Sequence, residues 1–284
     1  MGCCSAKPKQ VKKPVIERKP EPPKPQGAKP APAPVKVEES DAEKIAKALK
    51  SNKIDAAPKV DAGYTLYLDI EDNNKGVHQF LKDSKGLKFE KLNKVSLDNM
   101  KDLSKTGRSD FADLVNGSKL STINVLYLHG GEYMKFSLLD LSAVEKLIGV
   151  TKKQVFIDSF TLSEAELVSI FENSCNAKEL LIVNCKIPKL SSKFKLNTKT
   201  KYSYTTLDLC YSLVKDGEFI DEDKLTVIFK ELAKTNLKDS LKTVHAHEDD
   251  IDSATVSKVL CGMIDLIPDL PESIDRFWSR SGTF

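Results

Sequence analysis

The chain has no long hydrophobic run. Its most apolar stretch, Val259-Leu260-Cys261-Gly262-Met263-Ile264, falls far short of the roughly 18 residues that cross a bilayer, so no transmembrane span is expected. The N-terminus lacks the apolar core of about 7 to 15 residues that marks a secretory signal, because Lys7, Pro8, Lys9 and Lys12 follow almost at once. A chain that stays in the cytosol is expected. The strings G-x-x-x-x-G-K-[ST], G-x-G-x-x-G and G-x-S-x-G are missing too, which removes the footing for nucleotide binding and for serine hydrolysis. Six cysteines are present, but Cys3 and Cys4 are adjacent rather than spaced as a zinc pair. Cys175, Cys185, Cys210 and Cys261 are scattered in apolar surroundings. In a cytosolic chain they read as small core residues, not as a disulfide framework.

What is there is an ordinary folded composition with one unusual end. The 284 residues are 40% hydrophobic and 30% charged, which fits a folded soluble protein of one large or two small domains. The net charge of +3 hides an asymmetry. Residues 1–36 hold nine bases against Glu17 and Glu21, a balance of +7, which leaves residues 37–284 at −4. Nine of the 13 prolines lie in the same segment. Such a Lys/Pro-rich stretch cannot build a packed core and is expected to be a solvated, polyproline-like tether, on the order of 100 Å long at about 3.1 Å per residue. Nucleic acid is not the expected partner of this charge. Only Arg18 among the nine bases is an arginine, and no aromatic residue is interleaved.

The first nine residues, Met-Gly-Cys-Cys-Ser-Ala-Lys-Pro-Lys, place Gly2 where an N-myristoyl acceptor stands and Cys3 and Cys4 where palmitate would be added. This start resembles the dually acylated N-termini of kinases, G-protein subunits and many protist flagellar membrane proteins, with Ala6 standing where Ser or Thr is usual. One myristoyl chain holds a membrane only marginally, so a second chain or a basic cluster is needed. The resemblance implies lipid on Gly2, Cys3 and Cys4. Lys7, Lys9, Lys12 and Lys13 would add electrostatic attraction to an anionic leaflet. The expected location is the cytoplasmic face of a membrane, the plasma membrane or a flagellar or ciliary one.

Beyond the tail, Ser40-x-x-Glu43 forms a capping box ahead of Ile45, Ala46 and Leu49. After Pro58 a short apolar-x-apolar pattern recurs at Leu66/Leu68, Val95/Leu97, Leu126/Leu128, Val155/Ile157, Leu180/Ile182, Leu207/Leu209 and Val244/Ala246. The spacings are 29, 31, 29, 25, 27 and 37 residues, which is the mark of a repeat. Helices are expected between the strands. Ser142-x-x-Glu145 and Ser163-x-x-Glu166 cap two of them, Leu225, Ile228, Phe229 and Leu232 form the stripe of another, and a last helix carries Val256 to Ile267. The expected division is a tether over 1–39, a helix and cap over 40–62, and a repeat domain with a C-terminal cap over 63–284.

Leu180-Leu181-Ile182-Val183-Asn184-Cys185-Lys186-Ile187 fits the pattern L-x-L-x-x-[NC]-x-L, and Val155-x-Ile157-x-x-Phe160-x-Leu162 follows it with Phe160 at the Asn/Cys place. The chain thus resembles long-repeat, ribonuclease-inhibitor-like leucine-rich-repeat proteins. The resemblance implies an α/β solenoid of about seven strand-helix units with parallel strands, in which Cys185 satisfies backbone groups inside the coil. A doubly wound α/β domain shares the alternation without a fixed period.

If the frame residues point inward, the residues between them line the inner, concave sheet face. These are Tyr67, Ser96, Tyr127, Phe156, Leu181, Asp208 and His245. A row so rich in aromatic and apolar side chains is the composition of an interaction surface, provided the register is right. His245-Ala246-His247 with Asp249 and Asp250 resembles the H-x-H-x-D-H motif of metallo-β-lactamase-type hydrolases, with Asp250 where the third His belongs. Lys215 to Asp223 looks like half an EF-hand loop, with Ser212 and Val214 where carboxylates are needed. Lys19-x-x-Pro22-x-x-Pro25 suits an SH3 groove. No cofactor or metal is expected. The reading is a non-enzymatic, membrane-tethered adaptor that offers its sheet to an unidentified protein; the alternative is a tethered α/β enzyme with a metal at His245 and His247.

In limited trypsin digestion of the whole chain, residues 1–36 should be lost first, while a fragment starting between residues 37 and 60 persists. Equal survival of both parts would contradict the division.

Overall fold

The computed structural model describes residues 39–54, 58–59, 63–89, 92–120, 122–209 and 218–245. Gly2, Cys3, Cys4, Lys7, Lys9, Lys12 and Lys13 lie outside the described residues, as do His247, Asp249, Asp250 and the expected helix over 256–267.

The first helix, α1 (Asp41–Ser51), begins as its sequence predicts. The Ser40 side chain accepts from the Glu43 N–H, and the Glu43 carboxylate accepts from the Ser40 N–H at 2.8 Å. Ile45, Ala48 and Leu49 form its buried stripe. Then come β1 (Pro58–Lys59), β2 (Gly63–Asp69), α2 (Asn74–Asp83), β3 (Leu92–Asp98), α3 (Lys105–Gly117), β4 (Ile123–Lys135), α4 (Leu141–Val150), β5 (Thr151–Thr161), α5 (Glu164–Asn173), β6 (Glu179–Val183), β7 (Thr206–Leu209), α6 (Glu222–Leu232), α7 (Leu237–Ser240) and β8 (Thr243–His245).

All the strands among the described residues belong to one sheet whose spatial order is the chain order, β1 to β8. Seven of them, β2 to β8, run parallel, and β1 pairs antiparallel to β2. Every apolar-x-apolar pair from Leu66/Leu68 to Leu207/Leu209 falls in a strand and is buried, and Val244 is buried in β8. Consecutive helices from α1 to α5 pack side by side. Their apolar stripes, such as Val77, Phe80 and Leu81 of α2 and Leu167, Ile170 and Phe171 of α5, join the strand residues in a single core.

Most starts of the helices are held by a polar side chain at the N-cap: Asn73 for α2, Ser104 for α3, Asp140 for α4, Ser163 for α5 and Asp221 for α6. The box at Ser163 is complete. The expected cap at Ser142 is corrected. Asp140 caps α4, accepting from the Ala143 N–H at 2.9 Å, and Ser142 donates its hydroxyl to the same carboxylate at 2.8 Å. These bonds hold the Asp140 carboxyl below its usual range, the Ala143 N–H contributing most. A carboxylate two positions earlier outcompeted the serine.

A second correction lies between β6 and β7. Residues 184–205 contain no helix, although helices were expected between strands. The segment carries Pro188 and the polar run Asn197-Thr198-Lys199-Thr200-Lys201 instead of a helical stripe. It closes the core with isolated buried side chains, Phe194, Leu196, Tyr202 and Tyr204. The Tyr204 hydroxyl donates to the Phe171 carbonyl and lies 2.6 Å from Ser174 Oγ.

The turns out of the strands also repeat. Asn99, Ser159 and Asn184 follow Asp98, Asp158 and Val183, and each has a left-handed φ, of 55°, 57° and 50°. The next residue is buried in each case: Met100, Phe160 and Cys185. Val95-x-Leu97-x-x-Met100 is therefore a third segment with this geometry. In β4 the turn is expanded, because His129 pairs with Asp158 and Met134 with Phe160, so residues 130–133 oppose Ser159 alone. Gly130 is required there. A Cβ on it would sit 2.7 Å from the Ser159 carbonyl oxygen.

Ile157 is fully buried, whereas its neighbour Phe156 is half-buried on the opposite face. Ile157→Ala should therefore cost roughly 2–5 kcal/mol. Phe156→Ala should cost about 1 kcal/mol, much of it the loss of its ring contact with Tyr127. Urea denaturation midpoints decide the matter; the reverse ranking would mean that the register is off by one.

Candidate functional site: the sheet face opposite the helices

Side chains alternate along a strand, so burying the frame residues against the helices turns the residues between them to the other face. Tyr67 pairs with Ser96, Ser96 with Tyr127, Tyr127 with Phe156, Phe156 with Leu181, Leu181 with Asp208, and Asp208 with His245. All seven stand on one rung across seven strands. Tyr67 is 40% exposed, and Tyr127, Phe156 and Leu181 are half-buried. Ser96 and Asp208 are 2% and 7% exposed. Only the backbone of His245 is described, as the last residue of β8. The Tyr127 and Phe156 rings lie 5.0 Å apart at 43°, a tilted contact of the kind aromatic pairs favour.

Two residues further along each strand, on the same face, is a rung that sequence reasoning did not single out. Asp69 pairs with Asp98, and His129 pairs with Asp158, which pairs with Val183. The two rungs are joined by diagonals of one kind. The Tyr67 hydroxyl donates to Asp98 at 3.5 Å, and the Tyr127 hydroxyl donates to Asp158 at 3.4 Å. His129 Nδ1 contacts Asp98 Oδ1. Ser159 Oγ also donates to Asp158, at 2.8 Å. The available signal was the alternation itself, since Asp98, His129 and Asp158 stand at i+2 from Ser96, Tyr127 and Phe156.

Both phenols are harder to ionise than an ordinary tyrosine. Burial pushes the Tyr127 hydroxyl well above its usual range, and the negative charges of Asp158 and Asp98 push it further. Tyr67 moves the same way, by burial first and Asp98 second. Both therefore remain neutral donors at physiological pH and cannot serve as bases there. Among the described residues no group of three His, Cys, Asp or Glu side chains is arranged to hold a metal ion. The His245/His247 pair cannot be followed, because His247 lies outside the described residues. Of the half EF-hand, Asp221 is the N-cap of α6 and accepts from the Lys224 N–H at 2.9 Å; residues 210–217 lie outside the described residues.

A second cluster lies on the expanded turn of β4. The Tyr133 ring meets Phe219 edge-on at 5.4 Å, and Lys186 Nζ sits 4.6 Å from the Tyr133 centroid while pairing with Glu218. This cluster ties β4, the turn after β6 and the approach to α6 together. A 200 Å³ hollow beside Tyr67 is lined by Lys53, Ile54, Asp69, Asp72, Asn73 and Val77. No protein-family model, curated protein or solved structure matches the chain.

Among the described residues, Tyr67, Tyr127, Tyr202 and Tyr204 have raised ionisation. Burial carries Tyr202 from 10.0 to about 12, with the charge of Glu172 adding to it. In this range the folded chain keeps protons that the unfolded chain releases. Stability from these groups is complete below pH 10 and declines as the pH rises towards about 12. Tyr202→Phe should flatten that decline in denaturation curves taken across the interval. Absorbance titration should show part of the seven tyrosines ionising only with unfolding.

Proposed function

We propose that this chain is a lipid-tethered, non-enzymatic adaptor whose repeat domain, a degenerate leucine-rich-repeat-like solenoid, offers its sheet face to a protein partner at the cytoplasmic side of a membrane. The observation that carries the reading is the single rung from Tyr67 to His245. It sets phenol, aromatic and aliphatic side chains side by side on the face opposite the described helices. Interfaces concentrate their energy in such residues.

Several features support the solenoid part of the reading. Strand order follows chain order without a switch point, whereas a doubly wound sheet reverses direction where its ligand binds. Helices pack on their sequence neighbours, as stacked repeats do. Cys185, at the Asn/Cys place of the motif, is buried with its thiol 3.7 Å from the Ile157 carbonyl of the preceding strand. The left-handed residues at Asn99, Ser159 and Asn184 give three turns the same path.

Support for the tether is chemical. The Gly2-Cys3-Cys4 start supplies acceptors for two kinds of acyl chain, and the +7 segment behind it supplies the electrostatic second signal that a marginal anchor requires. No described helix is long and apolar enough to cross a membrane.

Two measurements test the parts separately. In cell fractionation the wild-type chain should sediment with membranes. Gly2→Ala should release it, and Cys3→Ser with Cys4→Ser should leave only salt-sensitive association; full retention of Gly2→Ala would remove the anchor. For the face, Tyr67→Ala with Phe156→Ala should weaken partner capture by about 2 kcal/mol or more while the fold is kept. Capture unchanged in a folded double variant would refute the binding face.

A further inference from the structure

The ends of the strands differ in charge. Where strands end, the carboxylates of Asp69, Asp98 and Asp158 crowd the sheet, with Asp102 and Glu132 close behind. Where strands begin, exposed lysines gather. Lys119 precedes β4, Lys152 and Lys153 are the second and third residues of β5, Lys178 precedes β6 and Lys242 precedes β8, and all five are exposed; Glu179, the first residue of β6, is half-buried and accepts from the Gln154 side chain at 2.7 Å.

Three of them are held in step by the backbone. The Lys178 N–H donates to the Lys153 carbonyl at 3.0 Å, the Thr205 N–H to the Lys178 carbonyl at 2.8 Å, and the Lys242 N–H to the Thr205 carbonyl at 2.9 Å. Lys153 and Lys178 therefore stand one strand spacing apart, about 4.8 Å, and Lys242 lies beyond Thr205, two spacings from Lys178. Among the described residues none of the five has a carboxylate within 4.0 Å.

Helix dipoles explain only part of the row: Lys119, Lys152 and Lys242 each follow a helix C-cap, at Ser118, Thr151 and Leu241. Cations are favoured at a helix C-terminus, but the effect fades within the last turn. Lys178 stands beyond both α5 and the turn that follows it. At the end of α3 that role is shared by another residue. Lys146 donates to the carbonyls of Val115, Asn116 and Ser118 at 2.9, 3.0 and 2.7 Å. Like charges placed opposite one another on neighbouring strands are destabilising, and Lys153 and Lys178 are so placed, a repulsion that a negatively charged surface would relieve.

We infer that the strand-start edge of the sheet, formed by Lys119, Lys152, Lys153, Lys178 and Lys242, is a docking edge for an anionic lipid surface. The inference deepens the tethered reading and rests on it: the lipidated tail brings the domain to the leaflet, and the edge orients it there. Two observations favour lipid over nucleic acid. The exposed charges named on this edge are all lysines, a set of point charges suited to a diffuse headgroup field, with no guanidinium fork for phosphates, while the Glu179 carboxylate is half-buried and held by Gln154. It also carries no aromatic side chain on which a base would stack; the rings of this sheet lie further along the strands, at Tyr67, Tyr127 and Phe156.

The test uses the full chain, purified without acylation, and vesicles of phosphatidylcholine with and without phosphatidylserine. The unaltered chain should bind only the phosphatidylserine vesicles, with affinity that falls as salt rises. Combining Lys119→Gln, Lys152→Gln, Lys153→Gln, Lys178→Gln and Lys242→Gln should weaken binding at least about tenfold, with a denaturation midpoint that is not lowered. The same five positions changed to Arg should keep it. A tail variant, Lys7→Gln, Lys9→Gln, Lys12→Gln and Lys13→Gln, measures the other contribution. Loss in the tail variant with none in the edge variant overturns the docking edge and leaves the tether standing. Loss of binding in the Arg variant overturns it as well, because charge would not be the cause. So does an edge variant that loses polyuridylate RNA but not vesicles, which would make the edge a nucleic-acid surface. No vesicle binding by the unaltered chain also overturns it, while fractionation of Gly2→Ala still judges the lipid anchor by itself.

Discussion

The parallel register is the constraint on which everything else in this sheet depends. From β2 to β8 each strand pairs with the next so that Leu66, Val95, Leu126, Val155, Leu180, Leu207 and Val244 stand on one rung. Side chains alternate with a period of two, so one strand slipped by one residue would turn its aliphatic pair to solvent and its polar set into the core. The cost of such a slip is large at every strand, since each pair is almost fully buried. Once the rungs are fixed, the helices have one face to cover. The row through Tyr67, Tyr127 and Phe156, the carboxylates beyond it and the lysines before it then follow as further rungs of the same ladder.

The parts of the fold that local chemistry decides were legible in the amino-acid sequence. Apolar alternation marks Leu126-x-Leu128 as a strand core whatever surrounds it, and the Ser40 and Ser163 boxes each need only four consecutive residues. What was not legible depends on competition or on distant partners. Asp140 took the α4 cap from Ser142 because an ionised carboxylate is the stronger acceptor and its backbone was already extended. The frame position at Met100 was hidden because methionine is neither Asn nor Cys, yet its flexible side chain fills the same space. Residues 184–205 abandon the helix because Tyr204, reaching Ser174 and Phe171, supplies the buried bulk a helix would have supplied. That contact spans 30 residues and leaves no local trace.

For the candidate face, alternation was enough to name the row but not its exposure. Ser96 stands between Tyr67 and Tyr127, and Asp208 beside Leu181, and both are covered although they share the rung. A short side chain between larger ones is shielded by them, which position alone does not reveal. The Tyr–Asp diagonals were equally hidden, because each joins residues 31 apart. They tie each phenol to a carboxylate one strand along, which fixes the direction in which its hydroxyl points.

The two charged edges and the row between them have a geometric consequence for a domain held at a membrane. A strand advances about 3.3 Å per residue, so Phe156 lies about 10 Å along β5 from Lys153, and Asp158 about 16 Å. With the lysine edge against an anionic leaflet, the rung from Tyr67 to His245 runs parallel to the membrane, each member at nearly the same height. The screening length at physiological ionic strength is about 8 Å. The lysines then sit within one such length of the headgroups and are attracted. The carboxylates of Asp98 and Asp158 sit about two lengths away, where the leaflet's repulsion is mostly lost. The separation of charge along the strand, only five residues from Lys153 to Asp158, is thus long enough for one edge to hold the surface while the other stays open to a partner lying along it.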